Sequence, residues 1–288
     1  MDDRLTISDP WLLQPLPLYG ELDPAGYAEL GFKCGLEIHQ QLYTEKKLFC
    51  RCPAGRYDKN SHQAEVLRHM RPTLSELGEY DGTALMEFKT KKEIVYQLER
   101  GTVCTYEIDD TPPFEIDEEA IKVALEVCRL FNLNLVSELH VMRKQYLDGS
   151  IPTGFQRTAI VGTDGAIPYK DRTVRIRQIS LEEDSCREVS DRGHLRTYRT
   201  DRLGMPLIET VTDPDMKTPW EVAEVGQIIR WLSRVSGLVR TGSGAGRQDV
   251  NVSVRGGRRV EIKGVPQAWR ARLLVHGEAV RQVRLLVL

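Results

Sequence analysis

From residue 247 to residue 263 the chain alternates with period two. Val250, Val252 and Val254 are separated by Asp249, Asn251, Ser253 and Arg255. A Gly256-Gly257 pair interrupts, and Val260 and Ile262 then alternate with Arg259, Glu261 and Lys263. Successive side chains of an extended backbone point to opposite faces, so this pattern predicts two strands joined as a hairpin. A two-residue turn opposes Ser253 to Val260 and mixes the faces. A three-residue loop, 256–258, instead pairs Arg255 with Arg259, Ser253 with Glu261 and Asn251 with Lys263, and keeps every apolar residue on one side. The chain must therefore fold around a sheet whose other face carries Asp, Asn, Ser, Arg, Glu and Lys. Lys263 and Arg255 suit the neutralisation of phosphate oxygens, and Asp249 or Glu261 the sharing of a metal ion. Cross-strand ion pairs on a surface are the competing reading.

The same period recurs in residues 35–42, GLEIHQQL, where Glu37, His39 and Gln41 fall on one face and Leu36, Ile38 and Leu42 on the other. A carboxylate and an imidazole two residues apart on a strand reach one cation, whereas on a helix they diverge. Upstream of the hairpin, Gly242, Gly244 and Gly246 allow backbone N–H groups to turn inward around an anion, with Arg247 next in sequence; a flexible turn explains them equally well. A third stretch, LEED at 181–184, offers Glu182 and Glu183. Their order is open, because Val174 and Ile176 imply one core face and Ile179 and Leu181 the opposite one.

Two helices are legible. Asp117 caps 118–131, with acids in the first turn, and Thr218 with Pro219 and Glu221 forms a capping box ahead of Val222, Val225, Ile228, Ile229, Leu232 and Val235, until Gly237 stops the run. Strand-like runs at 86–88, 93–98 and 175–179 make the class α+β with a largely antiparallel sheet and flanking helices. Residues 1–30, rich in Leu and Pro over 10–19, read as an extended N-terminal arm, followed by one domain over 31–288.

At 288 residues, 41% hydrophobic and 28% charged, the chain has enough material for a sizeable core, and no stretch is long and apolar enough to span a membrane. A net charge of −2 argues against a whole-chain nucleic-acid binder, although residues 240–272 carry eight basic residues against two acids, a patch suited to triphosphate or an RNA stem. Cys50, Cys52 and Cys104 form a candidate zinc site, with His62 or His69 completing it; reduced cytosolic thiols are the alternative. Cys34, Cys128 and Cys186 fall in a strand, a helix and the acidic loop, and no disulfides are expected.

GLEIHQQL with KLFCRC, then LEED, then DRLGMPLIETVTDPDM, then GRQDVNVSVRGGRRVEIKGV together resemble the B/E family of glutamyl-tRNA(Gln) amidotransferase subunits. The RQDVNVS form and SELGEYDGTA at 75–84 look most like the E-type member found in archaea. The resemblance runs from about residue 31 to the C-terminus. It implies a glutamine-synthetase-like cradle domain. It further implies ATP-dependent phosphorylation of the γ-carboxylate of glutamate on tRNA(Gln), then amidation by ammonia from a separate amidase-type partner, in a cytoplasmic hetero-oligomer. The family's metal positions fall on Glu37, His39, Glu182 or Glu183, Glu209 and Asp249, with Mg²⁺ favoured by the hard oxygen donors. Glu209, Lys263, Arg255 and Arg202 are then the catalytic candidates, and Gly242, Gly244, Gly246, Arg247, Asn251 and Ser253 the nucleotide-binding ones. Members of the family continue into helical and tail domains, and the E-type proteins also carry an inserted synthetase-like domain; the resemblance thus implies a chain truncated before all of these, with a non-catalytic fragment that only binds the amidase partner or tRNA as the alternative function.

Overall fold

A computed structural model describes residues 17–57, 62–75 and 77–287. Residues 1–16, most of the expected arm, lie outside the described residues. In chain order the elements are α1 (Pro24–Glu29), β1 (Lys33–Gln41), β2 (Ala64–Arg68), α2 (Gly82–Lys89), β3 (Glu93–Leu98), α3 (Glu118–Leu130), β4 (Asn134–Leu135), β5 (Val141–Gln145), β6 (Phe155–Tyr169), β7 (Arg172–Glu183), β8 (Arg187–Arg192), β9 (Leu195–Arg199), β10 (Pro206–Thr212), α4 (Pro219–Val235), β11 (Gly246–Ser253), β12 (Val260–Val265) and α5 (Ala268–Val287). The fold is α+β. An antiparallel sheet of eight strands runs β12-β11-β1-β10-β7-β6-β4, with β5 also on β6, and a smaller sheet runs β2-β3-β9-β8 with β3 and β9 parallel.

The apolar alternation decides which side of the large sheet is core. Leu36 and Ile38 of β1, Ile208 of β10, Ile179 and Leu181 of β7, and Val250 and Val252 of β11 are buried in one cluster with Val222, Val225 and Ile229 of α4 and Val123 and Val127 of α3. Helices α4, α5 and α3 thus cover one face, and the ionisable residues occupy the other. Thr218 Oγ1 accepts the backbone N–H of Glu221 at 3.3 Å, as the cap predicts. The Glu221 carboxylate, however, takes the N–H of Lys217 and the guanidinium of Arg172 rather than closing a reciprocal box. Asp117 Oδ1 accepts from Ala120 N at the start of α3. Gly237, at φ +73, supplies the left-handed residue after α4.

Three expectations change. The run 86–88 is the last part of helix α2, capped by Asp81, with Met86 and Phe88 exposed on it. The hairpin pairs Asn251 with Glu261, Val250 with Ile262 and Val252 with Val260, two residues away from the predicted register although the faces are the same. The reason is tertiary: beyond Ser253 the strand leaves the ladder, Arg255 N bonds Leu30 O, Val254 N bonds Gln282 of α5, and Gly257 N closes a turn on Val254 O. The conflicting parity before LEED marks a bulge. The β7–β10 register shifts between Val211 and Thr212, across from Gln178 and Ile176, so Val174, Ile176, Ile179 and Leu181 are all buried despite their odd spacing.

Candidate active site

Strand β1 lies at the centre of the polar face. Glu37 pairs with Asp249 on β11, and His39 with Arg247 on β11 and Glu209 on β10. Directly opposed residues share a face, so the ladder alone brings these side chains together. Glu182 of β7 opposes Leu207, two residues along β10 from Glu209. His39 Nε2 stands 3.7 Å from Glu209 and 3.6 Å from Asp249, and the ligand atoms of His39, Glu182 and Glu209 lie within 4.8 Å of one another. Glu37, Asp249 and Glu261 form a second such group beside it. The face is not wet: His39 is 7% exposed, and Glu182, Glu209 and Asp249 are buried.

The imidazole tests whether a cation fits. Both ring nitrogens of His39 are buried without a hydrogen-bond partner among the described residues, and two carboxylates converge on one of them beyond bonding distance. A buried, unsatisfied imidazole is costly in a purely structural role. Ligands about 2.1 Å from Mg²⁺ stand roughly 3–4 Å apart, and His39 Nε2 stands 3.7 Å from Glu209 and 3.6 Å from Asp249. Charge points the same way. Burial, then the neighbouring Glu182, push the Glu209 carboxyl up to about 7, against the pull of Lys144 and His39. Burial also acts to raise Asp249, but His39 and the Gly264 N–H outweigh it and hold that carboxyl below its ordinary value. A buried carboxyl that resists ionisation beside a second acid, as Glu209 does beside Glu182, is one whose charge a divalent cation would relieve.

Geometry separates the two acids of LEED. Glu182 faces the cluster, accepting from Lys144, Gln156 and Thr158. Glu183 points elsewhere, to the hydroxyl of Tyr106 and the backbone N–H and guanidinium of Arg157, and is not among the clustered groups. Asn251 Nδ2 donates to Glu37, and Lys263 Nζ lies 3.0 Å from Glu261 and 3.9 Å from Asp249 at the rim. Arg255 is not brought in: it sits exposed past the end of β11, six residues or roughly 20 Å from Asp249 along the chain. Ser253, across from Lys33, also falls at the strand's far end. Arg202 donates to Ser185 O and Cys186 O and approaches Asp184, so it joins the Arg247 side of the site rather than Glu209. Gly242 and Gly244, at positive φ, form an open turn, while Gly246 belongs to β11, where an added Cβ meets His39 O at 3.2 Å.

Sequence reasoning missed Lys144, whose ammonium bridges Glu182 and Glu209, at 3.7 Å from the latter. Only the antiparallel pairing of β5 with β6 places it there, and its own stretch carries no distinguishing pattern. Glu107 was missed too. It joins Cys50, Cys52 and Cys104 within 4.8 Å while paired to the wholly buried Lys47, whereas His62 bonds Glu65 and His69 is exposed, both apart from the thiols. The proximity of the three thiols couples their ionisation, with Cys104 lowered and Cys50 and Cys52 raised. All six cysteines are free.

With this geometry in place, comparison with known proteins is decisive. Residues 32–287 match the model of the GatB/GatE catalytic domain. This chain belongs to that family. It is similar to proteins named as the E component of glutamyl-tRNA(Gln) amidotransferase: that of Methanococcus vannielii at 44% identity over 259 residues, that of Methanocaldococcus jannaschii at 44% over 260, and that of Saccharolobus solfataricus at 46% over 260. Each match takes in 90% of this chain. The chain spans about two-fifths of the length of these GatB/GatE relatives.

Proposed function

We propose that this chain carries the phosphoryl-transfer centre of a glutamyl-tRNA(Gln) amidotransferase. In that reading ATP donates its γ-phosphoryl group to the γ-carboxylate of glutamate esterified to tRNA(Gln), with ADP leaving. Ammonia from a partner amidase then attacks the acyl phosphate and releases inorganic phosphate. The observation that carries the reading is the buried His39 imidazole, which makes no hydrogen bond among the described residues and stands 3.7 Å from Glu209 and 3.6 Å from Asp249. His39, Glu182 and Glu209 would hold Mg²⁺, with Glu37, Asp249 and Glu261 alongside. The cation supplies neutralisation of phosphate charge, the main catalytic requirement of phosphoryl transfer.

The chain's own residues do the rest. Arg247 and Lys263 take phosphate oxygens at the two sides of the cluster, and Lys144 keeps Glu182 and Glu209 in place with its positive charge. The turn through Gly242 and Gly244 borders the nucleotide. The fourfold group of Cys50, Cys52, Cys104 and Glu107, three thiols and a carboxylate within 4.8 Å of one another, would hold a structural zinc ion. No described helix is long and apolar enough to cross a membrane.

The test is phosphate release by the purified chain given Mg²⁺, ATP, Glu-tRNA(Gln) and an ammonium donor. Release that requires Mg²⁺ and disappears in Glu209→Gln supports the reading. Release unchanged in that variant removes Glu209 from the centre.

A further inference from the structure

The LEED stretch ends in a third acid with no part in the cation cluster. Asp184 is wholly buried at the end of β7. Its backbone joins Met205 O and Gly204 N, fixing it between β7 and the entry to β10. Its Oδ2 accepts Gln41 Nε2 at 2.8 Å and lies 3.6 Å from Arg202 Nε. Its Oδ1 accepts Ser185 N at 2.9 Å and Arg247 Nη1 at 3.2 Å. One carboxylate therefore ties together β1, the loop before β10 and β11, with one negative charge set against two guanidinium groups.

Arg247 is the member that faces the site. It stands directly across from His39 on the polar face, its side chain is 30% exposed, and its guanidinium hydrogen-bonds no other side chain among the described residues. A long arginine side chain loses considerable freedom when fixed, and an anion meets that cost unless the protein has already done so. A fully desolvated carboxylate that takes one Nη leaves the rest of the fork for a ligand, and the residual positive charge of the trio favours an anionic one.

We propose that Asp184 is a positioning residue that aims the Arg247 guanidinium at the phosphate oxygens of a nucleoside triphosphate bound beside His39. This inference rests on the phosphoryl-transfer reading. It assigns Asp184 no contact with the nucleotide and no role in holding the cation.

The experiment is calorimetric titration of Mn²⁺ alone, and of ATP with Mg²⁺ present, into the wild-type chain, Asp184→Asn, Arg247→Gln and the double variant, with unfolding midpoints measured in parallel. Asp184→Asn should weaken ATP by about tenfold, the scale of one charge-assisted hydrogen bond, while Mn²⁺ affinity stays within about twofold. Arg247→Gln, altered at a partly exposed position, should weaken ATP to a similar extent. The double variant should bind no more weakly than Arg247→Gln, because Asp184 acts only through that arginine. Unchanged ATP affinity in Asp184→Asn, or losses that multiply in the double variant, overturns the proposal. A joint fall of Mn²⁺ affinity, ATP affinity and midpoint in Asp184→Asn overturns it as well, by showing a purely structural role. A wild-type chain that takes Mn²⁺ but no ATP refutes the phosphoryl-transfer reading itself, a result distinct from any confined to the variants.

Discussion

Glu209→Gln should make the metal-free protein more stable while removing its response to Mg²⁺. The Glu209 carboxyl is 8% exposed, and burial together with the charge of Glu182 raises it to about 7. A carboxyl raised in the folded state holds its proton more tightly there than in the unfolded chain. Its contribution therefore favours folding below the ordinary carboxyl range and is lost as pH climbs from about 4.5 to about 7, after which the penalty is complete. The interval corresponds to on the order of 3 kcal/mol. Glutamine keeps the shape and removes the charge, so most of that penalty should vanish in alkaline buffer, and the fall in stability across this interval should flatten. With Mg²⁺ the ranking should reverse, because an ion held only by the folded wild type would stabilise it in proportion to the logarithm of its concentration. Urea unfolding across that pH range, in chelator and then in Mg²⁺, measures both effects. A Glu209→Gln variant less stable than wild type in chelator at alkaline pH, or equal stabilisation of both proteins by Mg²⁺, would refute this account of the site.

Other outcomes follow from the same structure. His39→Ala should lower Mn²⁺ affinity by at least about tenfold with little loss of fold, since it removes one proposed ligand and a buried group without a hydrogen bond; equal Mn²⁺ binding by calorimetry would put the cation elsewhere. Ile38→Ala, on the opposite face of the same strand, should cost roughly 2–5 kcal/mol in urea unfolding, because Ile38 is 2% exposed in the helix-covered core. Thr218→Ala should cost about 1 kcal/mol by the same measurement and leave ATP affinity unchanged, because the cap of α4 lies on the core side. Added Zn²⁺ should raise the unfolding midpoint of the reduced chain, and Cys104→Ser should abolish that rise; no response to Zn²⁺ would leave the cysteines as buried thiols.

Local rules made part of this protein legible. Period-two alternation in β1 and β11 fixed which side chains share a face, since strand geometry admits no other placement. Capping chemistry located the starts of α3 and α4 at Asp117 and Thr218. The family motifs named Glu37, His39, Glu209 and Asp249, which the ladder then gathers. The sequence by itself thus determined the two faces of the sheet and most of the cluster's membership.

Register and company were decided elsewhere. The hairpin pairing depends on Leu30 and Gln282, far away in the chain, which draw residues 254 and 255 out of the ladder. The bulge in β7, visible beforehand only as conflicting parity, selects Glu182 over Glu183. Lys144, Glu107 and Asp184 gained their partners through contacts across 38, 60 and 143 positions, respectively. Period and propensity are properties of neighbours along the chain, whereas burial and charge pairing depend on which strands meet. The unsatisfied His39 therefore became recognisable only once β10 and β11 closed around β1.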